Sequence, residues 1–538
     1  MRIHTASCVI SVLLGASACA APPAPGDACV GMSCVDVVPS DASTVDSIHD
    51  ALVTTDTFAI DTIQATDSSD AVDVSMHCDC SGSCVTRACA SACGHTDGGY
   101  CPVTHVFDLA THMPARLTMM FSMSWFGIPR TGDPNGPGSD RGWGNWRWGG
   151  GCVAVNDPTS CGSYSGSSQR QVASRHRPLA GLYSSTGRDD ESLRRIDLML
   201  STLRRPCDDG ARIDSWSVQL DSIRFTSRYL QETDHNFAQA ADIAYRAFVA
   251  FLARADTQGL ANVIAPGIDS TWYWHFGGLT TQADKLQALE DDLVDMLEIS
   301  APHASTLRIG SRPIVYAYTG GTATAPYISV SEWTTLLGHV RDRTGLDAYV
   351  IGGTTDPSYF AAFDAISPWI ELGTWNATSG ATTYDHAVSW THRRMDRLVN
   401  GLATYPGRVV WGGVTPGFDD YTHDWGVCDV DRVIPRVDAL LDGQFDVMTS
   451  YRTAGHAIGG MLFATWDDWT EGSVFEPEVG EGAGRLVHLR QRLGQYFSDP
   501  VDTAGDARLT ARWTSYGEAR NCAGGALTLA PPIDLHCP

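Results

Sequence analysis

The stretch GGMLFATWDDWTEGSVFEP, residues 459–477, begins as an apolar run and ends with four acids set among tryptophan and phenylalanine. The apolar half reads as a strand buried on both faces. The second half is odder, because an ionised carboxylate resists leaving water unless it is paired, and a surface loop has no use for two indoles. Such a segment suits the mouth of a cleft. Seven comparable runs precede it: LTMMFSMSWF, SWSVQLDS, NVIAPGID, RPIVYAYT, DAYVIGG, WIELGTW and RVVWGGVTPGF. Amphipathic stretches such as DESLRRIDLMLSTLRR, FAQAADIAYRAFVAFLARA, QADKLQALEDDLVDMLEI and SEWTTLLGHVRDR separate them. Apolar strands alternating with helices make a parallel sheet, and eight such units predict an α/β chain closed into a (β/α)8 TIM barrel over residues 103–499. A doubly wound open sheet is the alternative. No G-x-G-x-x-G turn follows any strand, so its dinucleotide-binding form lacks its signature.

Outside the barrel the chain changes character. Residues 1–20 carry an early Arg2, the apolar CVISVLLGA and the small-residue ASACAA, the pattern of a secretory signal and too short for a membrane span. Two processing readings follow: lipidation of Cys19, with Ala16 in the place of the usual larger apolar residue, or plain cleavage before Ala21. Residues 21–76 are rich in Asp, Ser, Thr and Pro and read as a disordered linker, unable to bury enough apolar surface to offset ordering entropy. Residues 77–102 hold HCDCSGSCVTRACASACGHTDGGYC, whose spacing matches no paired C-x-x-C zinc framework and reads as a disulfide segment in an exported chain. The sixteen cysteines less Cys8 and Cys19 leave fourteen, an even number that suits oxidised pairs. Residues 500–538 read as a C-terminal extension. The expected location is the cell envelope or outer surface, lipid-anchored there, or the medium, as a monomer.

Charge narrows the partners. Lys plus Arg total 37 against 62 Asp plus Glu, a net charge of −25. That sign repels phosphate backbones and anionic lipid, which argues against nucleic-acid binding and leaves membrane attachment to a lipid anchor alone.

In a barrel, function gathers where the strands end. Those ends are acidic and aromatic here: Trp125 after the first strand, Asp221 after the second, Asp269 after the third, Tyr318 on the fourth, Trp375 on the sixth, Asp419 and Asp420 after the seventh, and Asp468, Trp469 and Glu471 after the eighth. Indoles and phenols stack on sugar rings, and carboxylates accept hydrogen bonds from hydroxyls. Glycosidic cleavage needs one carboxyl to donate a proton and one to act ionised, and neighbouring indoles shift one of the two by desolvation. Asp468 and Glu471 are the candidate catalytic pair, and the others are candidate substrate contacts. A single Asp at a strand end reads equally well as a helix cap, and Trp411 within its strand reads as packing. No metal site and no cofactor is implied.

The segment TWDDWTEGSVFEP resembles the strand-eight signature of glycoside hydrolase families 71 and 99. Asp468 and Glu471 fall on the two acids of the pattern, and Glu476-Pro477 falls on its trailing Glu-Pro. SWFG, GLYSS, RIDSW and TPGFDD resemble other family segments in order, so the likeness spans residues 117–477. It implies a (β/α)8 hydrolase of α-linked polysaccharide, α-glucan or α-mannan, with Asp468 as base, Glu471 as general acid and Glu476 at the substrate. The chain departs from family 99 in having Asp at 468 and Thr470 in place of His, and its APGIDST leaves Asp269 only a loose match to the strand-three element. Retention or inversion stays open. The competing readings are a carbohydrate-binding lipoprotein without catalysis and an adhesion module that works through its Cys-rich segment.

Overall fold

In the computed structural model, residues 117–126, 190–204, 210–220, 235–275, 279–320, 326–370, 383–420, 433–456 and 458–520 are described, with isolated positions between 155 and 187. The strands are β1 (Leu117–Ser122), β2 (Ser215–Leu220), β3 (Ile264–Asp269), β4 (Arg312–Tyr318), β5 (Tyr349–Gly353), β6 (Ala365–Ser367), β7 (Val409–Val414) and β8 (Ile458–Ala464). Each pairs in parallel with the next, and β8 pairs with β1, so the sheet closes into a barrel. The helices outside it are α1 (Asp190–Leu200), α2 (His235–Thr257), α3 (Gln282–Ser300), α4 (Val330–Thr344), α5 (Thr383–Gly401), α6 (Asp438–Thr453), α7 (Gly484–Phe497) and α8 (Thr503–Arg520). Among the described residues no helix is long and apolar enough to cross a membrane. The signal sequence, the linker, the Cys-rich segment, Cys19, Asp221 and Trp375 lie outside the described residues.

The expected (β/α)8 fold is present, and seven strands fall within the runs that predict them. The sixth does not. β6 is the three-residue AIS that ends against Pro368, and Trp369 and Ile370, the described residues of the run WIELGTW, come after it. Proline donates no ladder hydrogen bond and closes a central strand, while the apolar run beyond it is what the eye follows. The mouth residue of this strand is therefore Trp369. Within residues 500–538, expected as a C-terminal extension, α8 buries Leu509 and Trp513 completely, with the Trp513 ring 5.5 Å from that of Trp466.

Local chemistry starts the helices where the sequence allows. Thr281 with Asp284 and Ser329 with Glu332 form reciprocal capping boxes at α3 and α4, each satisfying two otherwise orphaned backbone donors. At the barrel's N-terminal end two aspartates lace the strands together. Asp214 Oδ2 accepts from the Thr118 amide and hydroxyl at 2.9 and 2.8 Å, tying β1 to β2. Asp364 accepts from both terminal nitrogens of Arg312 (2.9 and 2.7 Å), from Arg408 (3.2 Å) and from the Val350 amide (3.0 Å). One carboxylate thus joins β4 and β5 to the segments that lead into β6 and β7.

Removing it strands two arginines and an amide in a half-buried corner. Asp364→Ala is expected to lower unfolding stability by about 2–4 kcal/mol, read from the urea midpoint, with Asp364→Asn losing roughly half as much.

Candidate active site

The turn after β8 builds the site. β8 ends at Ala464, whose peptide to Thr465 is cis. The chain then folds back as a tight hairpin, with Asp467 and Asp468 paired to Val474 and Ser473. Its base is tied to the barrel by the Trp466 amide, which donates to the Phe121 carbonyl on β1 at 2.7 Å. Gly472 closes the turn with φ 63°, and a Cβ there would stand 2.7 Å from the Asp419 Cβ, so left-handed backbone and close approach both call for glycine.

Adjacent aspartates on this hairpin face opposite ways. Asp467 turns inward and is fully buried: Oδ1 accepts from the Met123 amide at 2.7 Å, and Oδ2 from Arg195 at 2.9 Å and Ser122 at 3.2 Å. Arg195, on the buried face of α1, also reaches Glu476 Oε2 at 3.1 Å and the Tyr183 hydroxyl at 2.6 Å. Tyr183 in turn donates to Glu476 at 2.6 Å, and the Trp469 indole NH points at the same two oxygens, 2.8 Å from Tyr183 and 3.2 Å from Glu476. Burial works against the guanidinium charge, but Glu476, Tyr183 and Asp467 around it raise its proton affinity above the ordinary arginine value.

Asp468 takes the other direction. Its Oδ1 accepts from the Glu471 amide and the Thr470 hydroxyl, both at 3.1 Å, and its carboxyl is hydrogen-bonded to the Glu471 side chain. Asp468 is 1 % exposed, whereas Glu471 is half-buried, so the pair has an inner and an outer member. Burial pushes Asp468 up to about 7, against the pull of the Glu471 and Thr470 donors. A carboxyl denied water holds its proton more tightly than an exposed one.

Beside the pair lies a second charged group. Asp419, after β7, donates its amide to the Glu471 carbonyl at 2.5 Å and is itself buried. His176 stands between Asp419 (Nε2 to Oδ2, 3.7 Å) and Glu478 (Nδ1 to Oε2, 2.9 Å), and Arg436 donates to the same Glu478 oxygen at 2.6 Å. Against a burial that would raise it, His176 and Arg436 hold Glu478 below the usual carboxylate range.

The remaining candidates separate by burial. Trp125 is 4 % exposed and packs edge-on against Trp272, with ring centroids 5.7 Å apart. Trp469 and Glu476, expected at the substrate, are fully buried in the Arg195 network, where they brace the hairpin from inside. Asp420 is fully buried as well. Asp269 at the end of β3 and Tyr318 at the end of β4 are in register with each other and half-buried at the mouth. Trp411 is wholly enclosed in its strand. Arg195, His176 and Arg436 were missed. Arg195 had a signal, a cation on the apolar face of DESLRRIDLML, while His176 sits in a loop with no pattern around it. Among the described residues no group of three or more His, Cys, Asp or Glu side chains is placed to hold a metal ion.

The buried carboxyl of Asp468 has a consequence for stability. Its folded pKa lies above the unfolded one, so the folded state binds the extra proton and loses stability as pH rises between about 4 and 7. Asp468→Asn is expected to be more stable than the wild type by about 2–4 kcal/mol at pH 8, with the gap closing towards pH 4, measured as urea midpoints across that range.

No protein-family model matches the chain, and no curated protein does. Among solved structures it is similar to the GH99 endo-alpha-mannosidase from Bacteroides thetaiotaomicron, at 16% identity over 72% of this chain and 99% of that one, with a TM-score of 0.46. It is similar to a glycoside hydrolase-like protein at 14% identity over 61% of this chain and 90% of the other, TM-score 0.44. A GH113 beta-1,4-mannanase is similar at 12% identity over 59% of this chain and 95% of that one, TM-score 0.32. The chemistry of the site is accordingly read from its own residues.

Proposed function

We propose that this protein is an exported glycoside hydrolase that cleaves an α-linked polysaccharide or glycan of the α-glucan or α-mannan type. The observation that carries the reading is the Asp468–Glu471 carboxyl pair, hydrogen-bonded on the turn after β8 with one member buried and the other open. Support also comes from the likeness of TWDDWTEGSVFEP to the family 71 and 99 signature, and export rests on the pattern of residues 1–20.

The pair divides the proton work by depth. Glu471, the outer member, is the proton donor to the leaving glycosidic oxygen, since a leaving group approaching the mouth meets it first. Asp468, held up to about 7 by burial, is a far stronger base than an exposed aspartate and takes a proton from a substrate hydroxyl or from water. Substrate entry must part the two carboxyls, because in direct contact they are closer than the roughly 5–10 Å that either hydrolytic geometry uses. The anchored hairpin supplies the rigidity this requires. Arg195 fixes Asp467, so Asp468 is placed by its own backbone rather than by a mobile side-chain partner.

The test is reducing-end release from a panel of α-glucans and α-mannans. Asp468→Asn and Glu471→Gln are each expected to lose about 10²–10⁴-fold in rate. A wild type that binds such polymers and cuts none is a binding protein, and the hydrolase reading falls. On a substrate that is cut, kcat/KM should fall tenfold per pH unit below about 7 as Asp468 takes up its proton, and a profile flat to pH 5 would remove Asp468 from the base role.

A further inference from the structure

Across the mouth from the carboxyl pair stands one of several buried polar atoms that find no hydrogen-bond partner among the described residues. Tyr316 on β4 is fully buried, and its hydroxyl has no hydrogen-bond partner among the described residues. Leaving such a group unmade costs about 1–3 kcal/mol. The strand register tells where the hydroxyl goes. Tyr316 pairs with Ile351, two residues below the end of β5, yet its oxygen lies 2.2 Å from where a Cβ on Gly353 would stand. Gly353 pairs with Tyr318, the last residue of β4. The phenol therefore climbs to the level of the strand ends, through space that only a glycine leaves open.

Two further groups meet it there. Asp269 closes β3 in register with Tyr318, and its Oδ1 accepts both the Thr271 amide (2.8 Å) and hydroxyl (2.6 Å), while none of the described donors engages Oδ2. Burial pushes Asp269 up to about 6, the behaviour of a carboxyl in a dry setting. Trp369, just past β6, is half-buried and stands over the phenols, with centroids 5.9 Å from Tyr316 and 5.5 Å from Tyr318. Its other neighbour is Phe121, edge-on at 5.0 Å, and its backbone carbonyl is held by Arg394 at 2.7 Å.

We infer that Asp269, the Tyr316 hydroxyl and the Trp369 indole form a second sugar subsite, which holds one uncharged pyranose unit of a glycan chain whose scissile bond lies at Asp468 and Glu471. The inference deepens the glycosidase reading and rests on it for the identity of the ligand. A sugar carries vicinal hydroxyls, so one donates to Asp269 Oδ2 and its neighbour accepts from Tyr316, while the apolar ring face lies against indole. A uronic acid is excluded, since the donors recorded on Asp269 are the neutral ones of Thr271 and the carboxylate would repel a second anion. In the eight-strand ring β4 stands opposite β8, so the ligand that reaches both is an oligosaccharide, and a monosaccharide engages only one side.

The test is calorimetric titration of the full-length protein with α-linked glucotrioses and mannotrioses, alongside thermal melts. Tyr316→Phe is expected to weaken the trisaccharide that binds wild type roughly tenfold, the worth of one buried hydrogen bond. Its melting temperature should be unchanged or higher, because the hydroxyl satisfies no protein group. Asp269→Asn should weaken binding similarly, and an oligouronate should bind neither protein. Unchanged affinity in Tyr316→Phe, a lowered melting temperature, or no trisaccharide binding to wild type would each overturn the subsite. The two readings part cleanly: binding that depends on Tyr316 without any cleavage keeps the subsite and removes the hydrolase, while cleavage with KM unmoved in Tyr316→Phe does the reverse.

Discussion

A single buried guanidinium organises the working end of this barrel. Arg195 has almost no contact with water, and removing a cation to such a place costs several kcal/mol unless close anions compensate it. Asp467 and Glu476 are those anions, and they lie at the two arms of the hairpin that follows β8. The electrostatic requirement of one arginine thereby fixes the geometry of a turn that would otherwise be free to hinge. Tyr183 and the Trp469 indole complete the network and shut water out of it.

This arrangement explains why the two neighbouring aspartates behave so differently. Successive side chains on an extended segment point to opposite faces, so a hairpin that sends Asp467 to the guanidinium sends Asp468 away from it. Among the described residues no cation pairs with the buried Asp468. The Glu471 and Thr470 donors compensate its burial in part, and burial outweighs them to raise its pKa. The strong ion pair is made one residue earlier, at Asp467, and Asp468 is left to titrate nearer neutrality.

Much of this could be read in the chain itself. Apolar runs alternating with amphipathic ones reveal seven of the eight strands because a parallel strand is buried on both faces and cannot hide its composition. β6 escaped because three residues before a proline carry too little pattern, so Trp369 at its mouth went unmarked. The density of acids beside indole singles out Asp468 and Glu471, which the structure brings together on one turn. Which acids face the mouth was not legible, since Glu476 and Trp469 differ from them only in the direction a tight turn sends them. Contacts made by residues far apart, such as His176 with Glu478 or Arg195 with Asp467, leave no mark on local spacing.

The last helix carries an implication for how the protein comes into being. Trp466 opens the hairpin, and its ring is wedged between Trp216 of β2 and Trp513 of α8, with centroids 5.1 and 5.5 Å away. One side of the floor beneath this turn is thus supplied by a residue synthesised nearly fifty positions later than the turn itself. A chain still emerging from the ribosome has every barrel strand in hand well before it has this floor. The full support of this turn therefore arrives late in synthesis, as a property of the finished wrapping rather than of the closed barrel.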